Sequence, residues 1–379
     1  MNCFYFFKTN FLLLIFFSAY FISSCNRVGN KNQENYEIHG YISGLFEGKA
    51  VLGKLENGKI RSVDSVMIQK NQFVFKGGHL STPEVYYLIF DNGLGVVEFF
   101  LENSYIEING DIRNLEKCEI KGSATQSEYS SFLENNSIYE DKQHNIYTQF
   151  DSARAKNDTL LLQSLDSTYH TIYNEQIDFI IKYVIQNNKS VVSAFIAART
   201  LMPLINTADL EKVLSNFSPA LSESPYIEEL TSEITNRRAT EIGREAPEIA
   251  LPDTSGIINS LNNQRGKYVL LDFWASWCGE CRIQNKEFAK LVEKYGNKKF
   301  VIFAVSLDEN RANWKKVIDT DRLKAVHVCS LKGSVSPEAK LFAVKKIPTL
   351  LLINPEGIIV LREFTAPESR KFLENIFKK

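Results

Sequence analysis

Two cysteines separated by two residues, in Trp277-Cys278-Gly279-Glu280-Cys281, are the strongest chemical signature of this 379-residue chain. Before them, Tyr268-Val269-Leu270-Leu271-Asp272-Phe273 reads as a buried strand rich in branched apolar residues. After them, Arg282 to Tyr295 has amphipathic helical spacing, with Phe288, Leu291, Val292 and Tyr295 on one stripe. A thiol at such a junction faces helix-terminal amides that favour negative charge. Cys278 is therefore expected to ionise below the ~8.5 of a free cysteine. Cys281 lies one turn further in, close enough to close a disulfide. The chemistry this spacing supports is electron exchange between dithiols and disulfides.

Other uses of the pair fit less well. Half a zinc site needs a second ligand pair, and the chain holds no second CxxC. His327 and Cys329 share a strand face, which reads as packing, so no metal is expected. Haem attachment requires His after the second cysteine, where Arg282 stands. A purely structural bridge in so short a loop would be strained and readily reduced. Neither GxxxxGK[ST] nor GxGxxG occurs, so no nucleotide cofactor is expected, and no other cofactor is called for. The formal net charge is −1 with signs interspersed, which leaves nucleic acid without a basic face to bind. Asp272, among apolar strand residues, should have its pKa raised above about 3.9 by burial; the competing reading is a surface carboxylate at a strand end. Gly279 and Glu280 would tune the couple. The Glu280 carboxylate disfavours a Cys278 thiolate, whereas the helix dipole and Arg282 favour one.

The elements that position this motif belong to a multidomain chain. At the start, Lys8 precedes an apolar run from Phe11 to Phe17 that continues to Ile22, the length of a signal h-region and short for a membrane span. Residues 25–35 are polar and read as a tether. Residues 36–122 show short alternating segments, such as Gln72-Phe73-Val74-Phe75 and Val85-Tyr86-Tyr87-Leu88-Ile89-Phe90. They are broken by Asn57-Gly58, Asp91-Asn92-Gly93 and Asn109-Gly110, the pattern of an antiparallel β domain of sandwich or barrel type. Helical spacing takes over across 123–240, with Tyr173, Ile177, Ile180, Ile181 and Val184 on one stripe, and reads as a helical linker domain. Residues 241–379 hold the strand and the helix that flank the two cysteines and make up the last domain.

Ile22-Ser23-Ser24-Cys25 resembles the lipobox of bacterial lipoproteins. The resemblance implies cleavage after residue 24, lipid on the Cys25 sulfur and a membrane anchor; an ordinary signal peptide is the alternative. Asn26, rather than Asp, favours a periplasm-facing position on the outer membrane. His39-Gly40-Tyr41-Ile42, Phe73-Val74-Phe75-Lys76-Gly77 and Phe100-Leu101-Glu102-Asn103 resemble the uncharacterised β domain that precedes thioredoxin-like modules in bacterial lipoproteins, which carries no known chemistry. Of the six cysteines, Cys3 leaves with the signal peptide, while Cys118 and Cys329 read as packed free thiols.

From about Gly243 to Lys379 the chain resembles the thioredoxin fold in its TlpA/ResA-like branch. Four motifs carry the resemblance in order: Gly243-Arg244-Glu245-Ala246-Pro247, Asp272-Phe273-Trp274-Ala275-Ser276-Trp277-Cys278-Gly279-Glu280-Cys281, Ile347-Pro348-Thr349-Leu350 and Asn354-Pro355-Glu356-Gly357. A helical insert over Ala312 to Thr320 also suits that branch. The resemblance implies a thiol–disulfide oxidoreductase. Cys278 would be its exposed nucleophile, Cys281 the more buried resolving thiol and Asp272 a proton shuttle. Pro348 would be cis, presenting the backbone of Ile347 to an extended client, with Trp277 roofing the dithiol. It further implies disulfide-bearing client proteins, apocytochrome c among the possible ones, and a membrane electron donor of DsbD/CcdA type. Without His between the cysteines, a reducing couple is expected, nearer the about −270 mV of thioredoxin than the about −120 mV of DsbA. Two competitors remain: a peroxiredoxin-like peroxidase, and a lipoprotein whose β domain captures a ligand.

Overall fold

The computed structural model describes residues 34–379 apart from 57, 91–92, 94, 297–298, 365 and 378–379. The signal peptide, Cys25 and all but the last two residues of the tether lie outside the described residues. Strands β1 (Tyr36–Ser43), β2 (Glu47–Glu56), β3 (Lys59–Gln69), β4 (Gln72–Gly77), β5 (Glu84–Phe90), β6 (Val96–Leu101), β7 (Tyr105–Asp111) and β8 (Glu119–Lys121) form one eight-stranded sheet. Its order is β6-β5-β2-β3-β4-β1-β7-β8. Alternation sends Phe73 and Phe75 inward from β4, and Ile38 and Ile42 inward from β1. β4 and β5 are three places apart, about 14 Å in a flat sheet. Yet the rings of Phe73 and Phe90 lie 6.0 Å apart, so the sheet is rolled around its own core. The result is one curled sheet rather than the two layers of a sandwich. Alternation marks an inward face in either case, and only strand pairing distinguishes them. The pairing is antiparallel except at β1–β7, which run parallel with Ile38 opposite Ile106.

The helical region comprises α1 (Ala124–Ala155), α2 (Thr159–Gln186), α3 (Val191–Ile196), α4 (Thr207–Asn216) and α5 (Pro225–Ala239). The Ser123 hydroxyl caps α1 by accepting from the Gln126 N–H, and Asp158 caps α2 by accepting from Leu161 N–H. Ile180 and Val184 of α2, from the stripe read in sequence, join a core that includes Val85 and Phe100 of the sheet. Phe100, Tyr129 and Phe195 meet edge to face, with centroids 5.3 to 5.4 Å apart. The helices are thereby seated on β5 and β6. No helix among the described residues is long and apolar enough to cross a membrane.

The C-terminal domain opens with a hairpin of β9 (Ala250–Pro252) and β10 (Ile258–Ser260). Then come β11 (Tyr268–Trp274), α6 (Gly279–Tyr295), β12 (Phe300–Ser306), α7 (Arg311–Asp321) and β13 (Val326–Cys329), followed by α8 (Pro337–Leu341), β14 (Thr349–Ile353), β15 (Ile359–Arg362) and α9 (Ala366–Phe377). The sheet order is β13-β12-β11-β14-β15, with β11, β12 and β13 parallel and β14 and β15 antiparallel. This is the α/β thioredoxin-like domain that the resemblance implied. β11 is central and covered on both faces, which is why it reads as an unbroken apolar run. The helix after it begins at Gly279, three residues before the apolar spacing becomes visible at Arg282. Its first turn shows no apolar stripe in sequence because Cys281 takes the inward position there.

Candidate active site

The site begins with the register of β11. Leu270, Asp272 and Trp274 share one face of the sheet by alternation, and that face packs beneath α6. The chain leaves β11 at Trp274, turns through 275–277 and enters α6 with Cys278 as the helix cap. Cys278 and Cys281 are joined, with Cα atoms 5.4 Å apart. The Cys278 sulfur accepts the backbone N–H of Cys281 at 3.2 Å, so the first sulfur takes the place of an N-cap oxygen. A thiolate left there on reduction would face that amide and the positive end of the helix.

Cys278 is only 7% exposed and Cys281 2%, so the order of burial is as expected but the first cysteine is not openly exposed. Both sulfurs sit in a cluster with Trp274, Ala275, Phe288 and Leu350, which covers them from the sheet side. Trp277 is 68% exposed and so stands out as a surface facet rather than closing a roof over the pair. Gly279 and Glu280 are exposed in the first turn of α6. Arg282 does not serve the sulfur as a free cation. Its Nη2 donates to Asp321 Oδ1 at 2.7 Å, and Asn285 donates to the same carboxylate. Arg282 in turn holds the Asp321 carboxyl below its usual range.

Asp272 is 2% exposed and pairs in register with Ala304 on one side and Leu350 on the other. Its Oδ1 has no hydrogen-bond partner among the described residues. Burial without compensation pushes its pKa up to about 7, the direction anticipated from its apolar neighbours. Beyond Ala304, the same row of the sheet reaches His327. The His327 ring lies 6.0 Å from that of Trp274, its Nε2 meets the Leu323 carbonyl at 2.9 Å, and burial lowers its pKa. The buried Cys329 thiol donates to the Asp308 carbonyl at 3.5 Å and is pushed up by burial, as is the half-buried Cys118 in the other domain; both thiols are free.

The Ile347–Pro348 bond is cis. Thr349 pairs with Phe273, so the segment before it lies beside the end of β11, where the chain turns toward Cys278. Ile347 packs against the cluster that contains both sulfurs.

Asp308 went unnoticed in the sequence. It is buried, accepts the Ser276 N–H at 2.9 Å and the Ser276 hydroxyl at 2.6 Å, and takes the Ser306 hydroxyl at 2.6 Å. It thereby pins the turn that delivers Cys278. The available signal was its place just past the carboxyl end of a parallel strand, where open α/β sheets gather their sites. Among the described residues, no three His, Cys, Asp or Glu side chains are grouped as metal ligands.

Residues 242–362 match the AhpC/TSA family, and residues 36–129 match a domain of unknown function, DUF4369. The chain is 30% identical over 145 residues to the thiol–disulfide oxidoreductase ResA of Bacillus thuringiensis subsp. konkukian, covering 38% of this chain and 82% of that protein. The chain belongs to the thioredoxin-like thiol–disulfide oxidoreductases. ResA of Bacillus subtilis (strain 168) is 32% identical over 132 residues, covering 31% of this chain and 64% of that protein. Among solved structures, a thiol–disulfide oxidoreductase from Bacteroides fragilis NCTC 9343 is 34% identical with a TM-score of 0.34, covering 35% of this chain and 99% of that one. The thioredoxin domain of a Bacteroides vulgatus thiol–disulfide oxidoreductase is 32% identical with a TM-score of 0.35, covering 36% and 97%. This family acts on disulfide-bearing substrates, and the peroxidase alternative is not favoured.

Proposed function

We propose that this oxidoreductase works as a reductase of client disulfides, lipid-anchored through Cys25 and facing the periplasm from the outer membrane. The observation that carries the redox assignment is the Cys278–Cys281 bridge at the start of α6 with the unpartnered Asp272 carboxyl buried in the sheet beneath. In the reduced protein, the Cys278 thiolate attacks one sulfur of a client disulfide. That bond breaks, its second sulfur leaves as a thiolate that takes up a proton, and a mixed disulfide forms. Asp272, ionised for part of the time near neutrality, accepts the Cys281 proton through water. The Cys281 thiolate then displaces the client from Cys278, which closes the 278–281 bridge and releases the client as a dithiol, two electrons richer. Trp277 and the backbone of Ile347, before the cis-proline, form the surface on which the extended client lies. Gly279 and Glu280 tune the couple from the exposed first turn.

Recharging needs a dithiol from the membrane side, supplied in this reading by a donor of DsbD/CcdA type. Support for the anchor comes from Ile22-Ser23-Ser24-Cys25, and for the direction of electron flow from a CxxC without His. Two measurements test the proposal. Cys281→Ser should freeze clients as mixed disulfides on Cys278, and the trapped species should vanish in Cys278→Ser/Cys281→Ser. Equilibration with glutathione should give a potential near about −270 mV, and a value above about −180 mV would refute the reducing direction. Labelled palmitate should enter the full chain and not Cys25→Ser, or the anchor is wrong.

A further inference from the structure

Between the helical region and the C-terminal domain runs a cleft of about 680 Å³, within the size range of specific ligand sites. Lys345, Lys346, Thr349 and Arg362 line it on one side, Arg237 and Glu241 on the other. Its position follows from the sheet. β14 runs antiparallel to β11, so the start of β14 lies at the end of β11 that leads to Cys278. Lys346 and Thr349 bracket Ile347 and Pro348, and the Thr349 hydroxyl donates to the Lys346 carbonyl at 2.6 Å. The mouth of the cleft is therefore continuous with the segment beside the redox pair.

The two walls are tied together. Lys345 Nζ donates to the Met202 carbonyl at 3.0 Å, a carbonyl that Arg237 also binds, and Arg362 donates to the Thr240 carbonyl at 3.3 Å. The charges are uneven. Arg237 is matched by Glu233 at 2.6 Å, Glu241 by Arg238 at 2.8 Å and Arg362 by Glu363 at 3.3 Å. Lys345, tied to the Met202 carbonyl, also feels the Glu233 and Glu363 carboxylates, the latter in the cleft lining, whereas the exposed Lys346 has no ion-pair partner among the described residues. The cleft thus presents the unpaired Lys346 charge next to the segment where a client strand would lie.

We propose that this cleft receives the client chain flanking the reactive disulfide and selects flanks that carry carboxylates. The proposal rests on the reductase reading above and adds the substrate class to it. A client strand laid along Ile347 passes Lys346 and enters the cleft, where acidic side chains meet Lys345 and Lys346. Complementary charge of this kind acts mainly on the rate of encounter and on the choice of partner.

The test uses the full reduced chain and two disulfide peptides of equal length, one with Asp/Glu flanks and one with Lys/Arg flanks. At low ionic strength the acidic peptide should be reduced about tenfold faster, and the advantage should shrink with added salt. Lys346→Glu should reverse the preference and Lys346→Gln should reduce it. Because both variants alter an exposed side chain, the ratio of the two peptide rates reads selectivity free of folding. Equal rates for the two peptides in the unaltered chain, or a ratio unmoved by Lys346→Glu, would overturn the proposal. Hydroxyethyl disulfide, uncharged and without flanks, separates the two levels. If it is reduced while the peptides show no preference, the cleft assignment alone fails. If it is not reduced at all, the reductase reading fails and the cleft assignment falls with it.

Discussion

Around Phe73, Phe75, Phe90 and Phe99, the N-terminal sheet closes over a core that holds, among the described residues, no buried carboxylate or imidazole. The C-terminal sheet is nearly as apolar, yet it buries Asp272, Asp308 and both bridged cysteines and half-buries His327. Two of the buried carboxylates of this domain, Asp272 and Asp308, are handled differently. Asp308 is surrounded by donors from Ser276 and Ser306, whereas Oδ1 of Asp272 has none. An uncompensated buried carboxyl opposes folding whenever it is ionised, and evolution toward packing alone would replace it. The first sheet is built as an apolar roll. The second accepts an unpartnered carboxyl oxygen in the strand that leads to the redox pair, where the proposed reaction moves a proton.

The largest expected effect separates the two regions outright. Cys278→Ser should abolish reduction of a disulfide substrate, while Cys118→Ser in the N-terminal domain should leave the rate unchanged; residual turnover in the first variant would dissolve the contrast. Asp272→Asn comes next, with a loss on the order of 10²-fold in rate near pH 7, the usual scale of general-base assistance.

The same residue makes a stability prediction with a defined sign. The folded pKa of about 7 lies above the unfolded value of 3.8, so the folded state holds the proton more tightly between them. The contribution of Asp272 to stability is therefore full below about pH 4 and is lost as pH rises to about 7, by up to about 4 kcal/mol. Urea unfolding of the oxidised protein at pH 5 and pH 8 should show this fall, and Asp272→Asn should remove it. An unchanged pH slope in the variant would mean another group carries the titration.

Phe75→Ala should cost about 3–5 kcal/mol through the cavity it leaves in the first core. The redox potential should stay put, and a shift beyond about 30 mV would show the two regions to be coupled. The smallest effect belongs to the Arg282–Asp321 pair. Asp321→Asn should change stability by about 1 kcal/mol or less, since Arg282 is partly solvated. Freeing Arg282 should favour the Cys278 thiolate and raise the potential by on the order of 10–20 mV, as read against glutathione.

Several features were legible because they depend on neighbours in the chain. CxxC between an apolar run and an amphipathic stripe marks a reactive thiol pair, since helix-terminal electrostatics is set within a few residues. The raised pKa of Asp272 could be anticipated from Leu270, Leu271 and Phe273 around it, because a continuous apolar run is buried on both faces. The β and helical regions followed from period and turn residues in the same way, while the α/β domain was expected from the motifs that resemble the thioredoxin fold.

What stayed hidden depended on residues far apart in sequence. Asp308 holds Ser276 across 32 positions, and Asp321 neutralises Arg282 across 39. The meeting of Met202 with Lys345 spans 143 positions. The roll of the first sheet likewise had to wait for strand pairing, because alternation assigns an inward face without naming the strand across the core. Local sequence thus determined which side chains carry the chemistry, through short-range helix electrostatics and patterned hydrophobicity. Tertiary structure decided which charges remain free beside the sulfurs, because hydrogen bonds and ion pairs form wherever folding brings partners within about 3 Å, whatever their separation along the chain.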